Sequence, residues 1–182
     1  MNRVPLLTAA TTTHAPTQAL LGQVQGAFGG TPNMFRAVAN SPAALQAMWS
    51  FFGALGGGTL PAALGEQIAV AVADRNGCDY CLAAHTALGR KAGLSAEALH
   101  AAQLGESSDP QTAAALRFAL RLVEARGAVS AEEVQALRAA GFDDSALVEI
   151  IAHVALNTFT NYINVALDTP VDFPATRLRR AA

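Results

Sequence analysis

Glu66-Gln-Ile-Ala-Val-Ala-Val-Ala-Asp-Arg-Asn-Gly77-Cys78-Asp-Tyr80-Cys81-Leu-Ala-Ala-His85 holds both cysteines of the 182-residue chain. A histidine follows the second cysteine by four positions, and a glutamate precedes the first by twelve. Ile68 to Ala73 is apolar on every side, which predicts a helix buried on several faces. A strand is disfavoured there, because alanine is a poor strand former. Gly77 supplies the left-handed turn that ends such a helix. A second helix is expected from near Asp79 to Lys91, closed by Gly93. Two thiols, an imidazole and a carboxylate are the parts needed to make, use and reset a thiolate.

Helical signals continue on both sides of this stretch. Leu20, Leu21, Val24, Ala27 and Phe28 fit one face of a helix over 17–28. Gly29-Gly30-Thr31-Pro32-Asn33 breaks it. Ser41-Pro42 reads as an N-cap with proline in the first turn, opening a helix through Leu55. Gly56-Gly57-Gly58 ends that helix, and Pro61 restarts one through Arg75. Further helices are expected after Ser95, ending at Gly105, and after Asp109-Pro110, through Arg126. Ser130-Ala-Glu-Glu133 is a capping box for a helix ending at Gly141. Asp143 or Asp144 caps a long last helix through Leu167. The fold class is therefore all-α, with helices in antiparallel pairs. Residues 1–16 read as an irregular arm, 17–167 as the helical domain and 168–182 as a tail with a basic end.

Composition narrows the setting. The chain is 52% hydrophobic and only 14% charged, against about 25% charged in ordinary domains. So little charge implies broad apolar surface and a homo-oligomer, whether dimer, trimer or hexamer. A net charge of -2 leaves no basic footprint for nucleic acid. No apolar run reaches the roughly 20 residues of a membrane span, and Met1–Ala10 has no signal-peptide pattern. A cytoplasmic protein is expected. In a reducing compartment, two cysteines point to a catalytic or metal-binding pair rather than a structural disulfide.

Within a helix from Asp79, Cys81 and His85 are i and i+4 and share a face about 6 Å apart along the axis. Cys78 falls at or just before the helix start, where free backbone N–H groups favour an anion. Folding the chain back at Gly77 sets His85 opposite Ala69 and Leu88 opposite Glu66. Glu66 then lies one turn from His85, close enough to orient the imidazole and raise its basicity. Cys78, Cys81 and His85 also make three zinc ligands lacking a fourth, and the thiols taken alone could be inert core residues. His153 sits in an apolar helix as a core histidine. Asn157, Asn161 and Asn164 fall at helical spacing and suit either the lining of a pocket or interface or, the reading preferred here, interhelical hydrogen bonds. Trp49, Phe51 and Phe52 suit core or subunit contacts. His14 and His100 have no constellation around them.

The pattern Glu66-x11-Cys78-x2-Cys81-x3-His85 resembles the core motif of the alkylhydroperoxidase AhpD family, within the carboxymuconolactone decarboxylase-like superfamily. The flanks are similar to its peroxidase-related branch: Gly30-Thr-Pro-Asn-Met-Phe35, Ser41-Pro42, Asn157-Thr-Phe-Thr-Asn161-Tyr-Ile-Asn164 and Asp172-Phe-Pro174. The resemblance, covering roughly Pro16 to Pro174, implies an AhpD-like helical bundle. It implies that Cys81 attacks a peroxide, Cys78 resolves the product as a Cys78–Cys81 disulfide, His85 relays the proton and Glu66 supports it. The best-known members carry a histidine immediately before the second cysteine, where this chain has Tyr80, a residue at the edge of the site. The resemblance further implies a small-molecule peroxide as substrate and an external dithiol, thioredoxin-like or lipoyl-linked, as reductant, with no haem, flavin or metal. The rival readings are a general thiol–disulfide oxidoreductase, a non-catalytic metal-binding or redox-sensing module, and a decarboxylase-like enzyme in which the thiols are incidental.

Overall fold

Residues 2–179 are described by a computed structural model; Met1 and the end of the tail, residues 180–182, lie outside them. Every regular element among the described residues is α-helical: α1 (Ala15–Phe28), α2 (Asn33–Val38), α3 (Pro42–Gly56), α4 (Ala62–Arg75), α5 (Asp79–Lys91), α6 (Ala96–Gln103), α7 (Pro110–Ala125), α8 (Ala131–Ala139) and α9 (Asp144–Leu167). The all-α expectation holds. Among the described residues, no helix is long and apolar enough to cross a membrane.

α4 runs through the middle. Ten of its 14 residues are buried, including every one from Gln67 to Asp74. It packs against α5, α6, α7 and α9 at once. Alanines 69, 71 and 73 make this possible, because small side chains let neighbouring helices approach closely on several sides. The chain leaves α4 through a Schellman turn. Gly77 takes φ +68°, the Cys78 N–H donates to Ala73 O at 2.9 Å, and the Gly77 N–H donates to Asp74 O at 3.2 Å. That turn delivers Cys78 as the N-cap of α5 and lays α5 back along α4.

The other ends follow their local chemistry. Ser41, Ser95, Asp109, Ser130 and Asp143 cap α3, α6, α7, α8 and α9, and the capping box at Ser130 and Glu133 is complete. α1 begins two residues earlier than predicted, because His14 Nδ1 accepts the Thr17 N–H and Pro16 lies in the first turn. Residues 33–38, which gave no helical signal, form α2. That helix lacks a side-chain cap of its own; instead the Asn33 N–H donates to Asp172 Oδ2 at 2.8 Å, from the far end of the chain.

The arm and the tail are irregular but tied down. Arg3 donates from its backbone to Leu167 O, and Leu7 to Arg36 O. The tail crosses α2 at Asp172 and Phe173. It then runs to Asp74, a buried carboxylate that accepts from the Arg179 backbone at 3.0 Å and from Gln103 Nε2 at 3.1 Å. His100 is paired here as well, 3.1 Å from an Arg179 nitrogen.

Ala71 is fully buried where α4 meets its neighbours. Replacing it with leucine is expected to cost about 1–3 kcal/mol through overpacking, read as a lower thermal midpoint at unchanged helical content.

Candidate functional site

The thiols meet at the start of α5. Cys78 is 0% and Cys81 2% exposed, and both are free. As N-cap, Cys78 Sγ accepts the Cys81 N–H at 3.2 Å. Cys81 is one turn into the helix, with its sulfur facing the C-terminal half of α9. Asn164 Nδ2 donates to Cys81 Sγ at 3.2 Å. One turn earlier on α9, Asn161 also acts on that sulfur. Its Oδ1 accepts from Asn76 at 2.9 Å, whereas its buried Nδ2 has no standard hydrogen-bond partner. Donors facing a buried sulfur favour the thiolate over the thiol.

These surroundings make the two cysteines unequal. Burial pushes the Cys81 thiol up, but the hydrogen bond from Cys78, the charge of His85 and the asparagine amides outweigh it, bringing Cys81 down to about 7. Cys78 moves strongly upward, first because its proton is held in the hydrogen bond to Cys81 and then because it is buried. The pair thus sheds one proton readily, from Cys81, and keeps the other.

His85 and Glu66 are brought together by the fold-back at Gly77, with His85 Nδ1 2.8 Å from Glu66 Oε2. Burial pulls the imidazole down, while the Glu66 charge, its hydrogen bond and the Cys81 charge prevail, leaving His85 above its ordinary value. The two shifts run in the same sense, each favouring a protonated His85 beside a Cys81 thiolate over the neutral pair.

Two cavities meet at His85. One is a narrow space walled by Phe28, Phe35, Phe52, Met34, Tyr80 and Phe173 that reaches Cys81 and His85. Its walls are almost wholly apolar. The other lies on the far side and is lined by Glu66, His85, His153 and Asn157 among apolar residues of α3 and α4. His153 therefore borders a cavity shared with the carboxylate–imidazole pair, in addition to packing within α9; burial holds it below its ordinary value. Asn157 donates to the His153 carbonyl within its own helix, so only Asn161 and Asn164 make the interhelical contacts expected of all three.

Tyr80 lines the Cys81 cavity, but its hydrogen bonding leads away from His85. Its hydroxyl accepts the Met34 N–H at 3.1 Å, and its ring meets Phe173 edge-on with centroids 5.7 Å apart. Burial, followed by the neighbouring Asp172 carboxylate, pushes the phenol up. Phe52 lines both cavities, and Trp49 packs edge-on against Phe35. Among the described residues, no group of three or more His, Cys, Asp or Glu side chains is arranged to hold a metal ion.

Sequence reasoning did not connect Asn164 to Cys81, or Phe173 to the cavity wall. The asparagines fall at intervals of four and three residues, which marks one helix face, but nothing local relates α9 to α5.

The carboxymuconolactone decarboxylase family model matches residues 42–125. No curated protein sequence matches the chain. Several solved structures share its fold. An uncharacterized peroxidase-related protein from Ralstonia eutropha JMP134, described as an alkylhydroperoxidase AhpD core, is 27% identical with a TM-score of 0.83, over 94% of this chain and 92% of its own. A peroxidase-related protein from Silicibacter sp. TM1040 is 24% identical with a TM-score of 0.81, over 93% of this chain and 91% of its own. The debrominase Bmp8, in complex with 2,3,4-tribromopyrrole, is 21% identical with a TM-score of 0.78, over the same 93% and 91%.

A Cys81 value of about 7 has a direct readout. Below that pH the thiol is protonated and slow, so alkylation by iodoacetamide should rise with pH through a midpoint near 7. Asn164→Leu is expected to move the midpoint upward and slow alkylation at neutral pH roughly 3- to 10-fold, by removing a donor to the thiolate.

Proposed function

Because the chain belongs to the alkylhydroperoxidase AhpD/carboxymuconolactone decarboxylase-like superfamily, we propose that it is a cysteine-based hydroperoxidase working through the Cys78–Cys81 pair. One observation carries the reading. Cys81, the cysteine whose thiolate is favoured, borders an apolar cavity, with a protonatable His85 on the same wall. A hydroperoxide can bring its organic part to that cavity and its O–O bond to the sulfur.

The Cys81 thiolate attacks the terminal peroxide oxygen, forming an S–O bond as the O–O bond breaks. The departing alkoxide takes its proton from His85, which Glu66 holds in place by the 2.8 Å hydrogen bond, and leaves as an alcohol. Cys81 is now a sulfenic acid. The Cys78 sulfur attacks it, forms the disulfide and releases water, the thiol proton leaving with the hydroxyl group. An external dithiol then supplies two electrons and two protons by thiol–disulfide exchange. Cys78 is fully buried and borders neither cavity, whereas Cys81 borders one. Exchange therefore begins at the Cys81 sulfur, and Cys78 is the leaving thiol. A lipoyl-type or thioredoxin-like dithiol in a reducing, cytoplasmic setting fits this cycle, and the assignment adds no metal or cofactor. Tyr80 keeps a supporting place, shaping the cavity wall.

A second reading uses the same pair. The aromatic cavity walls also suit a flat halogenated ring, and the debrominase shares the fold. In that reaction the dithiol is oxidised to the disulfide by two electrons while a carbon–bromine bond becomes carbon–hydrogen and bromide leaves.

Reduced protein given one equivalent of an organic hydroperoxide should lose both thiols and about 2 Da, as the Cys78–Cys81 disulfide forms. Cys81→Ser should abolish consumption, while Cys78→Ser should stop after one turnover as a trappable sulfenic acid. His85→Ala and Glu66→Gln should slow the first step on the order of 10²-fold or more. Thiols that persist under hydroperoxide but disappear with bromide release from a brominated pyrrole would replace the first reading with the second.

A further inference from the structure

Glu66 and His85 form a wall with a different space on each side. His85 borders both cavities, but Glu66 borders only the far one, away from Cys81. Three polar groups converge there without a protein partner. Glu66 Oε2 is taken by His85, while among the described residues Glu66 Oε1, Asn157 Oδ1 and the His153 ring make no hydrogen bond. None of them is sealed in protein, and all three residues line the far cavity.

The rest of the lining is largely apolar, with Phe52, Leu55, Leu60, Pro61 and Leu156 as its large members. Small residues keep the space open, namely Gly56, Ala62, Gly65 and Ala69. Gly65 matters most, since a Cβ there would lie 3.1 Å from His153 Cε1 and crowd the imidazole. The mouth is tied down as well. Glu149 accepts the N–H groups of Thr59 and Leu60 at 2.8 and 3.0 Å, fastening the segment before α4 to α9. An apolar chamber with a few polar groups converging at one end is the usual form of a small-molecule site.

The lining also selects the ligand. Glu66 and the Asn157 oxygen only accept hydrogen bonds, so the ligand must donate one. The Glu66 charge repels an anion, a protonated His85 repels a cation, and the apolar walls penalise either. We propose that the far cavity is a second ligand site, for a small neutral molecule with an apolar body and a hydroxyl group, and that Glu66 and His85 report its occupancy to Cys81. The hydroxyl donates to Glu66, with Asn157 and His153 beside it. A carboxylate that accepts this bond holds the imidazolium less firmly, so His85 gives the Cys81 thiolate less support. The binding is non-covalent and independent of which reaction the thiols perform.

Phenol is the simplest probe. Calorimetry on the reduced protein should show one site with a Kd on the order of 1 mM or tighter. Toluene, which lacks the donor, and benzoate, which carries a charge, should bind at least about 10-fold more weakly. Ala62→Trp, at an exposed position on the cavity rim, should block phenol, and His153→Leu should weaken it. Phe173→Ala, at a residue that borders only the narrow space at Cys81, should leave binding intact. Saturating phenol should slow iodoacetamide alkylation of Cys81 at pH 7 roughly 2- to 3-fold, in the wild type but not in Ala62→Trp. Neither readout needs turnover, so a failed hydroperoxidase assay would leave both standing. The proposal is overturned by an absence of saturable binding, by toluene or benzoate binding as well as phenol, or by binding lost in Phe173→Ala but kept in Ala62→Trp. An alkylation rate unmoved at saturation would overturn it too.

Discussion

The molecule depends on one packing constraint: α4 must touch four other helices along a span of two turns. Only small side chains permit that, and Ala69, Ala71 and Ala73 supply them. The consequence runs directly to the chemistry. Glu66 stands near the start of this rigid helix and Cys78 just beyond its end, so the carboxylate and the thiol are placed by the same rod. α5, laid back along the rod by the turn at Gly77, brings Cys81 and His85 alongside. Glu66, Cys81 and His85 sit on helices, and Cys78 sits in the short turn that joins α4 to α5.

The stretch around Gly77 was legible because its information is local. α5 has the predicted bounds, and the pairing of Glu66 with His85 follows from counting residues on either side of one glycine. Caps read equally well at Ser41, Ser95, Asp109 and Ser130, where a side chain answers its own helix. α2 was hidden for the opposite reason. Asn33–Val38 is too short to show a period, and its cap comes from Asp172, 139 residues away. The same distance hid part of the candidate site. Asn164 reaches Cys81 across 83 positions, and Phe173 joins the cavity wall from an irregular tail. Helical spacing tells which face a residue shares, not which neighbour that face will meet.

Inequality between the thiols comes from geometry rather than from a difference in burial. Both sulfurs are enclosed, and burial alone would push both upward. Cys78 gives its hydrogen bond to Cys81, and Cys81 also receives Asn164 and the positive charge of His85. A buried pair sharing one proton in this way has its charged and neutral partners chosen in advance. The apolar cavity works against the Cys81 thiolate by desolvation, so the choice rests on the donors and the positive charge that face its sulfur.

Asp172 and Phe173, which cap α2 and wall the cavity, come after the last helix. A chain emerging from the ribosome N-terminus first can assemble α4 and α5 long before these residues are available. The dithiol is thus made early and enclosed late. During that interval both cysteines share the compartment with every oxidant in it. The position of these two residues beyond α9 makes each new molecule's exposure to premature oxidation a matter of how quickly that segment emerges and docks.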